Sequence, residues 1–262
     1  MDLRSVRLVL SLPIGKYFFV ITPEASSCKK RYISDMCADY TPSRKEQIEE
    51  SFLAGYPLLD LPPEAWPGYM APILRASHEA PGVLEIAPAM FGMVPHWADI
   101  KLARQTYNAR TETVASKPSF RNAWKRKQFC IIPAANFFEP NYETGKPVRW
   151  RIERSDGGPV AIAGIWEYRP ADQLLSFSML TINADRHPLM QRFHKPDDEK
   201  RMVMILDPDQ YQGWLDGSLV TEEDVYRQYP AELLVAQPDP MQPRSRPKAL
   251  APVAPAEQGG LF

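Results

Sequence analysis

Apolar and polar residues alternate along much of the chain, and this alternation predicts short β-strands. Residues 148–153 are the clearest case, because they alternate with a period of two and run into a turn sequence at 155–158. The apolar run 129–132 predicts another strand, which we end at Pro133 because proline cannot donate a backbone hydrogen bond. Further strands are predicted at 71–74, 83–86, 160–168, 175–182 and 201–206.

Helices are predicted at only a few places. Ser43 and Glu46 have the spacing of a capping box, and the apolar stripe after them predicts a helix that ends at Gly55. Shorter helices are predicted at 183–191, 208–215 and 221–229. Strands and helices do not alternate regularly, so we predict an α+β fold of mainly antiparallel, barrel-like packed sheets with short peripheral helices, in a single domain.

The two ends of the chain lack this pattern. Residues 1–36 contain one moderately apolar stretch, which Pro13 and Lys16 interrupt. We interpret them as an N-terminal extension, either a mis-called start or a propeptide that is removed. Residues 231–262 are rich in proline and poor in periodic apolar positions, which predicts a disordered tail. The domain itself is expected at 37–230.

Composition excludes several classes of protein. With a net charge of −1 the chain has no global signature of nucleic-acid binding, so any such site must be local. The three cysteines (28, 37 and 130) are widely spaced and odd in number, which argues against a disulfide framework and favours a reducing, cytoplasmic compartment. We expect Cys130, which lies in an apolar run, to be buried and inert. We also expect no metal, cofactor or membrane span, because ligand spacings and long apolar runs are both lacking.

Positive charge is concentrated between residues 101 and 128, which we call the basic segment. It holds eight basic residues and a single acid, Glu112. Aromatic residues accompany it, including Trp97 shortly before it and Trp124 within it. Basic residues between aromatics suit single-stranded nucleic acid, where phosphates pair and bases stack. A solvated basic face is the alternative, and Trp97 fits a stacking role and a core role equally well.

Met36-Cys37 is the most informative dipeptide of the chain. If translation starts at Met36, removal of that methionine leaves Cys37 with a free α-amine and a thiol on one residue. Both groups are partly nucleophilic near neutral pH. An aldehyde would react with the amine to a Schiff base, which the thiol closes to a five-membered thiazolidine ring. An internal Cys37 has only an amide nitrogen and is then an ordinary cysteine.

Six motifs in one order resemble the SOS-response-associated peptidase (SRAP) family. Residues 91–97 are similar to its W-G-[LM]-[IV]-P-x-W box, residues 108–113 to N-A-R-x-E-T, and residues 130–139 to C-[LI]-[IV]-P-A-x-G-[FY]-[FY]-E. The others are the Pro-Ser-Phe-Arg sequence at 118–121, A-G-[LI]-W-E at 163–167, and a histidine followed by R-M-P at 194–203. Together with Met36-Cys37, the resemblance covers roughly residues 36–230.

The chain departs from the family pattern in several places. Phe91 replaces the first tryptophan of its box, Asn136 replaces a glycine, and Pro140 replaces the tryptophan after the glutamate. Asp39 stands where many members carry an arginine, which removes a phosphate contact near the reactive end. Residues 195–200 insert between the histidine and the R-M-P sequence.

The resemblance implies a function and a set of residues. Family members form covalent crosslinks with abasic sites in single-stranded DNA, which protects the site during the DNA damage response. By resemblance, Cys37 is the nucleophile, while Glu139 and His194 act as acid and base. Asn108 would bind the sugar or the crosslink, Arg110 and Arg121 the flanking phosphates, and Trp97 a base. We expect abasic single-stranded DNA as partner, a monomer, and a bacterial-type cytoplasmic, nucleoid-associated location.

Other activities stay open on the sequence. Loss of the 3′ phosphate from the Schiff base would give AP-lyase activity. Cys37, His194 and Glu139 or Asn108 also suit a cysteine peptidase that acts on its own propeptide. The third alternative is a non-covalent single-strand binding module that uses only the basic segment.

Overall fold

The computed structural model of the protein describes residues 38–52, 62–77 and 83–241. Within these residues ten strands join in one sheet. They are β1 (Tyr40–Pro42), β2 (Met70–Ala76), β3 (Leu84–Phe91), β4 (Asn108–Arg110), β5 (Phe129–Asn141), β6 (Val148–Arg154), β7 (Val160–Arg169), β8 (Leu174–Asn183), β9 (Arg201–Val203) and β10 (Leu234–Pro238). The helices are short: α1 (Lys45–Phe52), α2 (Arg121–Lys125) and α3 (Tyr211–Asp216), with 3-10 turns such as Ile100–Gln105 and Met190–Arg192.

The sheet closes on itself. β5 pairs with β2, β2 with β3, β3 with β8, β8 with β7, and β7 again with β5. Most pairs are antiparallel, whereas β8 is parallel to both β3 and β4. The predicted α+β class, with mainly antiparallel, barrel-like packing and peripheral helices, is therefore confirmed.

Strand β5 is the centre of the fold, and it is longer than predicted. It does not end at Pro133 but continues through thirteen residues to Asn141. Proline removes only a donor, and the carbonyl of Pro133 still accepts from the backbone N–H of Ser43 at 2.9 Å. The strand then changes partners, from β7 up to Ala134 to β1 and β6 after it.

One hydrophobic core connects buried side chains from all ten strands and from α1 and α3. Phe91, which stands where the family has tryptophan, stacks on Phe177 with 5.2 Å between ring centroids. The ring of Tyr40 packs edge-on against the Phe91 ring, with 5.4 Å between centroids, so β1 also packs into this core. Cys130 is fully buried as predicted, and burial raises the pKa of its thiol.

Two local predictions are wrong. The helix predicted at 43–55 begins at Lys45, and the Oγ of buried Ser43 makes no hydrogen bond within the described residues, so Ser43 does not cap it. Gln47 instead accepts from the backbone N–H of Arg44 at 3.1 Å. The predicted end of this helix at Gly55 lies outside the described residues. No helix spans 183–191, where the structure has turns and one 3-10 turn at Met190–Arg192.

The C-terminal part confirms one predicted helix and reshapes another. The helix predicted at 208–215 is a 3-10 turn at Pro208–Gln210 continued by α3, while 221–229 holds only a 3-10 turn at Glu223–Tyr226. β10 pairs with β6 and lies beyond residue 230, where the sequence places the end of the domain. No helix among the described residues has the length and apolar character to cross a membrane.

Candidate active site

Glu139 lies near the end of β5, next to the start of the described chain. Its side chain is almost fully buried. Tyr40 of β1 pairs with Phe137, and the backbone N–H of Phe138 donates to the carbonyl of Asp39 at 3.2 Å. This antiparallel register, continued by one residue, puts Ala38 opposite Glu139. Cys37 itself lies outside the described residues.

His194 is held against the end of β5 by backbone contacts. Its N–H donates to the carbonyl of Pro140 at 2.9 Å, and Phe193 bridges to Asn141. The Asn141 side chain donates to the carbonyl of Arg192 at 3.0 Å. His194 has φ of 64°, in the left-handed region, which histidine adopts more readily than most residues. A strained residue held by several contacts is typical of functional sites.

The hydrogen bonds of His194 define its tautomer. Nε2 lies 3.0 Å from the carbonyl oxygen of Arg201, which can only accept, so Nε2 carries the proton. The same nitrogen lies 3.8 Å from Oε2 of Glu139, beyond hydrogen-bond range but close enough for charge interaction. In this tautomer Nδ1 carries no proton and can act as an acceptor. The Glu139 carboxyl and the His194 imidazole are therefore buried side by side.

Arg201 supports this pair through its carbonyl group, and the sequence places it in a motif without assigning it a role in the site. Its guanidinium is nearly buried and forms two hydrogen bonds with Glu112, both 2.9 Å long. It also donates to the carbonyl of Thr181 at 2.6 Å and to Glu199 at 2.8 Å. Arg201 and Glu112 belong to two of the six motifs, so their pairing brings these two motifs together in space.

Asn108 and Arg110 both lie on β4, which pairs with β8. Asn108 is buried, whereas Arg110 is about half exposed. Residues two apart in a strand share one face, so the strand presents both to the same side. Nη1 of Arg110 lies 2.7 Å from Oε2 of Glu199.

All eight basic residues of the basic segment are exposed. Arg110 and Arg126 form ion pairs, with Glu199 and Glu167 respectively. Lys117, Arg121 and Lys125 pair with no carboxylate among the described residues, so they can bind an anion without losing a partner. This arrangement favours a phosphate-binding surface.

Trp97 is 55 % exposed and does not belong to the core. Its loop begins at Gly92, whose φ of 102° favours glycine. A Cβ at Gly92 would also lie 2.2 Å from the carbonyl oxygen of Ala103, just beyond the loop. The glycine of this motif therefore sets the close packing of the loop that presents Trp97.

A second charged cluster adjoins the start of β1. Nη2 of Arg149 lies 2.9 Å from Oδ2 of Asp39 and 2.7 Å from Oε1 of Glu64. The guanidinium also lies 3.3 Å from the ring centroid of Phe138. Burial raises the pKa of Asp39 to about 7; Arg149 opposes this shift and Glu64 adds to it. The acid that replaces the family's arginine is thus matched by an arginine on β6.

Metal ligands are not grouped in the described part of the chain. No cluster of three or more histidine, cysteine, aspartate or glutamate side chains there could hold an ion. The site offers instead a buried carboxyl, an imidazole and an exposed basic surface.

Curated proteins of similar sequence include abasic site processing proteins. The abasic site processing protein YoqW of Bacillus subtilis (strain 168) is 32% identical over 130 residues, which are 48% of this chain and 54% of that protein. The abasic site processing protein HMCES of Mus musculus is 27% identical over 206 residues, 64% of this chain and 56% of that protein. The chain therefore spans about half the length of these curated relatives.

Solved structures share the fold. The crystal structure of a protein from Bordetella bronchiseptica is 37% identical, covers 78% of this chain and all of its own, and has a TM-score of 0.70. A protein from Bacteroides thetaiotaomicron, at 22% identity and a TM-score of 0.61 over 76% of this chain and 90% of its own, supports the fold alone. A model described as SOS response associated peptidase (SRAP) matches residues 36–239. The chain belongs to the SRAP family.

Proposed function

We propose that the protein processes abasic sites in single-stranded DNA and traps them covalently through Cys37. The observation that carries the proposal is the buried Glu139–His194 pair at the end of β5, where the chain emerging from Cys37 joins the sheet. Family membership and the names of the curated relatives support the choice of an abasic-site substrate. Cys37 becomes N-terminal by a start at Met36 or by removal of residues 1–36.

The chemistry needs one nucleophilic residue with two functional groups. The open form of an abasic site carries an aldehyde at C1′. The Cys37 amine adds to this carbon and, after loss of water, gives a Schiff base. The thiol then adds across the C=N bond, and its proton ends on the nitrogen. The net reaction joins aldehyde, amine and thiol into a thiazolidine and releases one water.

Glu139 and His194 supply the proton transfers. Opening of the closed sugar requires a proton on the ring oxygen, and dehydration to the Schiff base requires a proton on the departing hydroxyl. A buried carboxyl beside an imidazole is able to move both protons. In an alternative branch the pair removes a proton from C2′, so that the 3′ phosphate leaves in an AP-lyase reaction.

The remaining residues bind the strand. Asn108 holds the sugar or the crosslink, and Arg110 and Arg121 bind phosphates on either side of it. Trp97, exposed at the edge of the basic segment, stacks on a base. These contacts read little sequence, so the crosslink forms at an abasic site in any context. The protein acts as a monomer on DNA in the bacterial cytoplasm.

A denaturing gel tests this function. Protein expressed from Met36 is mixed with a single-stranded oligonucleotide that carries one abasic site, and the intact mass of the protein is measured alongside. A shifted band from protein whose mass begins at Cys37 supports the proposal, and Cys37→Ala should abolish the band. If the mass begins at Cys37 and no band forms, the proposal is wrong.

The family description also supports a second candidate, a cysteine peptidase that removes its own N-terminal extension. Expression of all 262 residues tests it. Autocatalysis predicts that the wild-type chain begins at Cys37 and that Glu139→Ala retains residues 1–36. Retention by both proteins, or removal from both, argues against an autopeptidase that depends on Glu139.

A further inference from the structure

Glu199 is ion-paired with the guanidinium of Arg110, which the proposed function assigns to a DNA phosphate. Its Oε2 lies 2.7 Å from Nη1 of Arg110. Glu199 belongs to the insertion 195–200, which lengthens the spacing between the histidine and the R-M-P sequence of the family's motif. The contact is thus a feature of this chain's own sequence.

Glu199 is fixed in place by groups other than Arg110. Its Oε1 accepts from Nη1 of Arg201 at 2.8 Å and from the Asn183 side chain at 3.2 Å. Arg201 is itself nearly buried and held by Glu112 and by Thr181. The hydrogen bond from Arg201 lowers the pKa of Glu199, which keeps its carboxylate ionised at neutral pH. An incoming phosphate therefore meets a charged and anchored carboxylate.

We propose that Glu199 competes with DNA phosphate for Arg110 and thereby raises the selectivity for abasic over intact strands. This inference rests on the proposed function of the site. An intact strand depends entirely on non-covalent contacts, so a weakened Arg110 contact shortens its stay on the protein. An abasic strand is retained by the bond to Cys37 and depends less on that contact.

Affinity for an intact single-stranded oligonucleotide tests the inference without any covalent step. Glu199→Gln removes the negative charge and keeps the size of the side chain. Fluorescence anisotropy should show that it binds about two- to fivefold more tightly than the wild type. The matched control is Glu85→Gln, since Glu85 is ion-paired with Arg75, is similarly exposed and changes the net charge equally.

The salt dependence gives a second, independent measure. One additional phosphate contact steepens the slope of log K against log salt by about 0.7 on single strands. Glu199→Gln should show this steeper slope, and Glu85→Gln should not. If Glu199→Gln binds no more tightly than Glu85→Gln, or more weakly than the wild type, the inference is wrong.

A double-mutant cycle assigns the effect to Arg110. Arg110→Gln should weaken binding more in the Glu199→Gln background than in the wild type, because only there is the guanidinium released. Equal losses in both backgrounds overturn the competition. Failure of the wild type to crosslink an abasic strand would instead count against the proposed function, so the two failures are separate.

Discussion

Nε2 of His194 lies 3.8 Å from Oε2 of Glu139, and both side chains are almost fully buried. The pair is brought together by the backbone, because the N–H of His194 donates to Pro140, the residue after Glu139. Nε2 donates to the carbonyl of Arg201, so in this tautomer Nδ1 carries no proton. The proposed proton transfers are assigned to this pair because Glu139 lies opposite Ala38, the residue after Cys37.

Glu139→Gln tests the acid directly. The amide keeps the shape of the side chain but cannot transfer a proton, so we expect the crosslinking rate to fall about 10²-fold or more. The measurement is the appearance of the covalent band with time. Glu143→Gln is the control, because Glu143 lies four residues after Glu139 in the chain but is exposed and ion-paired with Arg192. An unchanged rate in Glu139→Gln would remove this residue from the chemistry.

His194 combines a chemical role with an unusual backbone, and two substitutions separate them. Asparagine tolerates the left-handed conformation, so His194→Asn should fold normally and crosslink about 10²-fold more slowly. Valine does not tolerate it, so His194→Val should also lower the free energy of unfolding by about 1–3 kcal/mol relative to His194→Asn. Urea denaturation and the gel assay measure the two effects. Equal stability of the two variants would contradict the backbone argument.

The raised pKa of Asp39 predicts how the free energy of unfolding depends on pH. Its pKa rises from 3.8 to about 7 in the folded protein, chiefly through burial, despite Arg149. The folded state therefore binds more protons than the unfolded state between these pH values, so stability from this group is greatest below pH 4. It is lost as pH rises towards 7, by an upper limit on the order of 4 kcal/mol.

Asp39→Asn removes this titration. Relative to the wild type, the variant should become more stable as the pH is raised from 5 to 8, in urea denaturation at several pH values. Glu64 and Asp239 add to the shift of Asp39. Asp209→Asn serves as control, because Asp209 is an exposed aspartate and this substitution changes the net charge equally. A constant difference for Asp39→Asn would argue against the buried, neutral carboxyl.

The sequence predicted most strands because their signal is local. Residues 148–153 alternate strictly, and the structure has β6 at Val148–Arg154. The continuation of β5 through Pro133 could not be predicted from local pattern. At Pro133 the strand is held by a hydrogen bond from the backbone N–H of Ser43, which lies ninety residues earlier in the chain. The helix predicted at 183–191 fails because the ring of His187, which donates from Nε2 to the distant carbonyl of Tyr229 at 2.7 Å, accepts the N–H groups of Leu189 and Met190 in place of helical bonds.

The candidate site divides in the same way. Glu139 and His194 were found through motifs, and the structure brings them together. Arg149 was missed and Arg201 was found only as a motif residue without a role, because nothing in the sequence tells which of 31 basic residues will be buried against carboxylates. Arg149 pairs with Asp39 and Glu64, and both of these residues lie far from it in the chain. Such pairings follow from the closed sheet and not from local pattern.

Gly92 provides a test of the loop that presents Trp97. Alanine at this position would have to adopt φ of 102° and place its Cβ 2.2 Å from the carbonyl oxygen of Ala103. Strain and overlap add, so Gly92→Ala should lower the free energy of unfolding by about 3 kcal/mol or more. Gly145→Ala is a matched control, because Gly145 has φ of 76° but no atom near its Cβ position. It should lose only about 1–2 kcal/mol.

The same pair of variants also reports on DNA binding. Relief of the overlap between the new Cβ and the Ala103 carbonyl oxygen requires Ala103 to move away from position 92. Ala103 lies at the start of the basic segment. Gly92→Ala should therefore weaken binding to a single-stranded oligonucleotide severalfold under conditions where it is fully folded, whereas Gly145→Ala should not. Equal affinities for both folded variants would mean that the loop after Gly92 does not contribute to the DNA surface, and Trp97 would then lose its role in stacking.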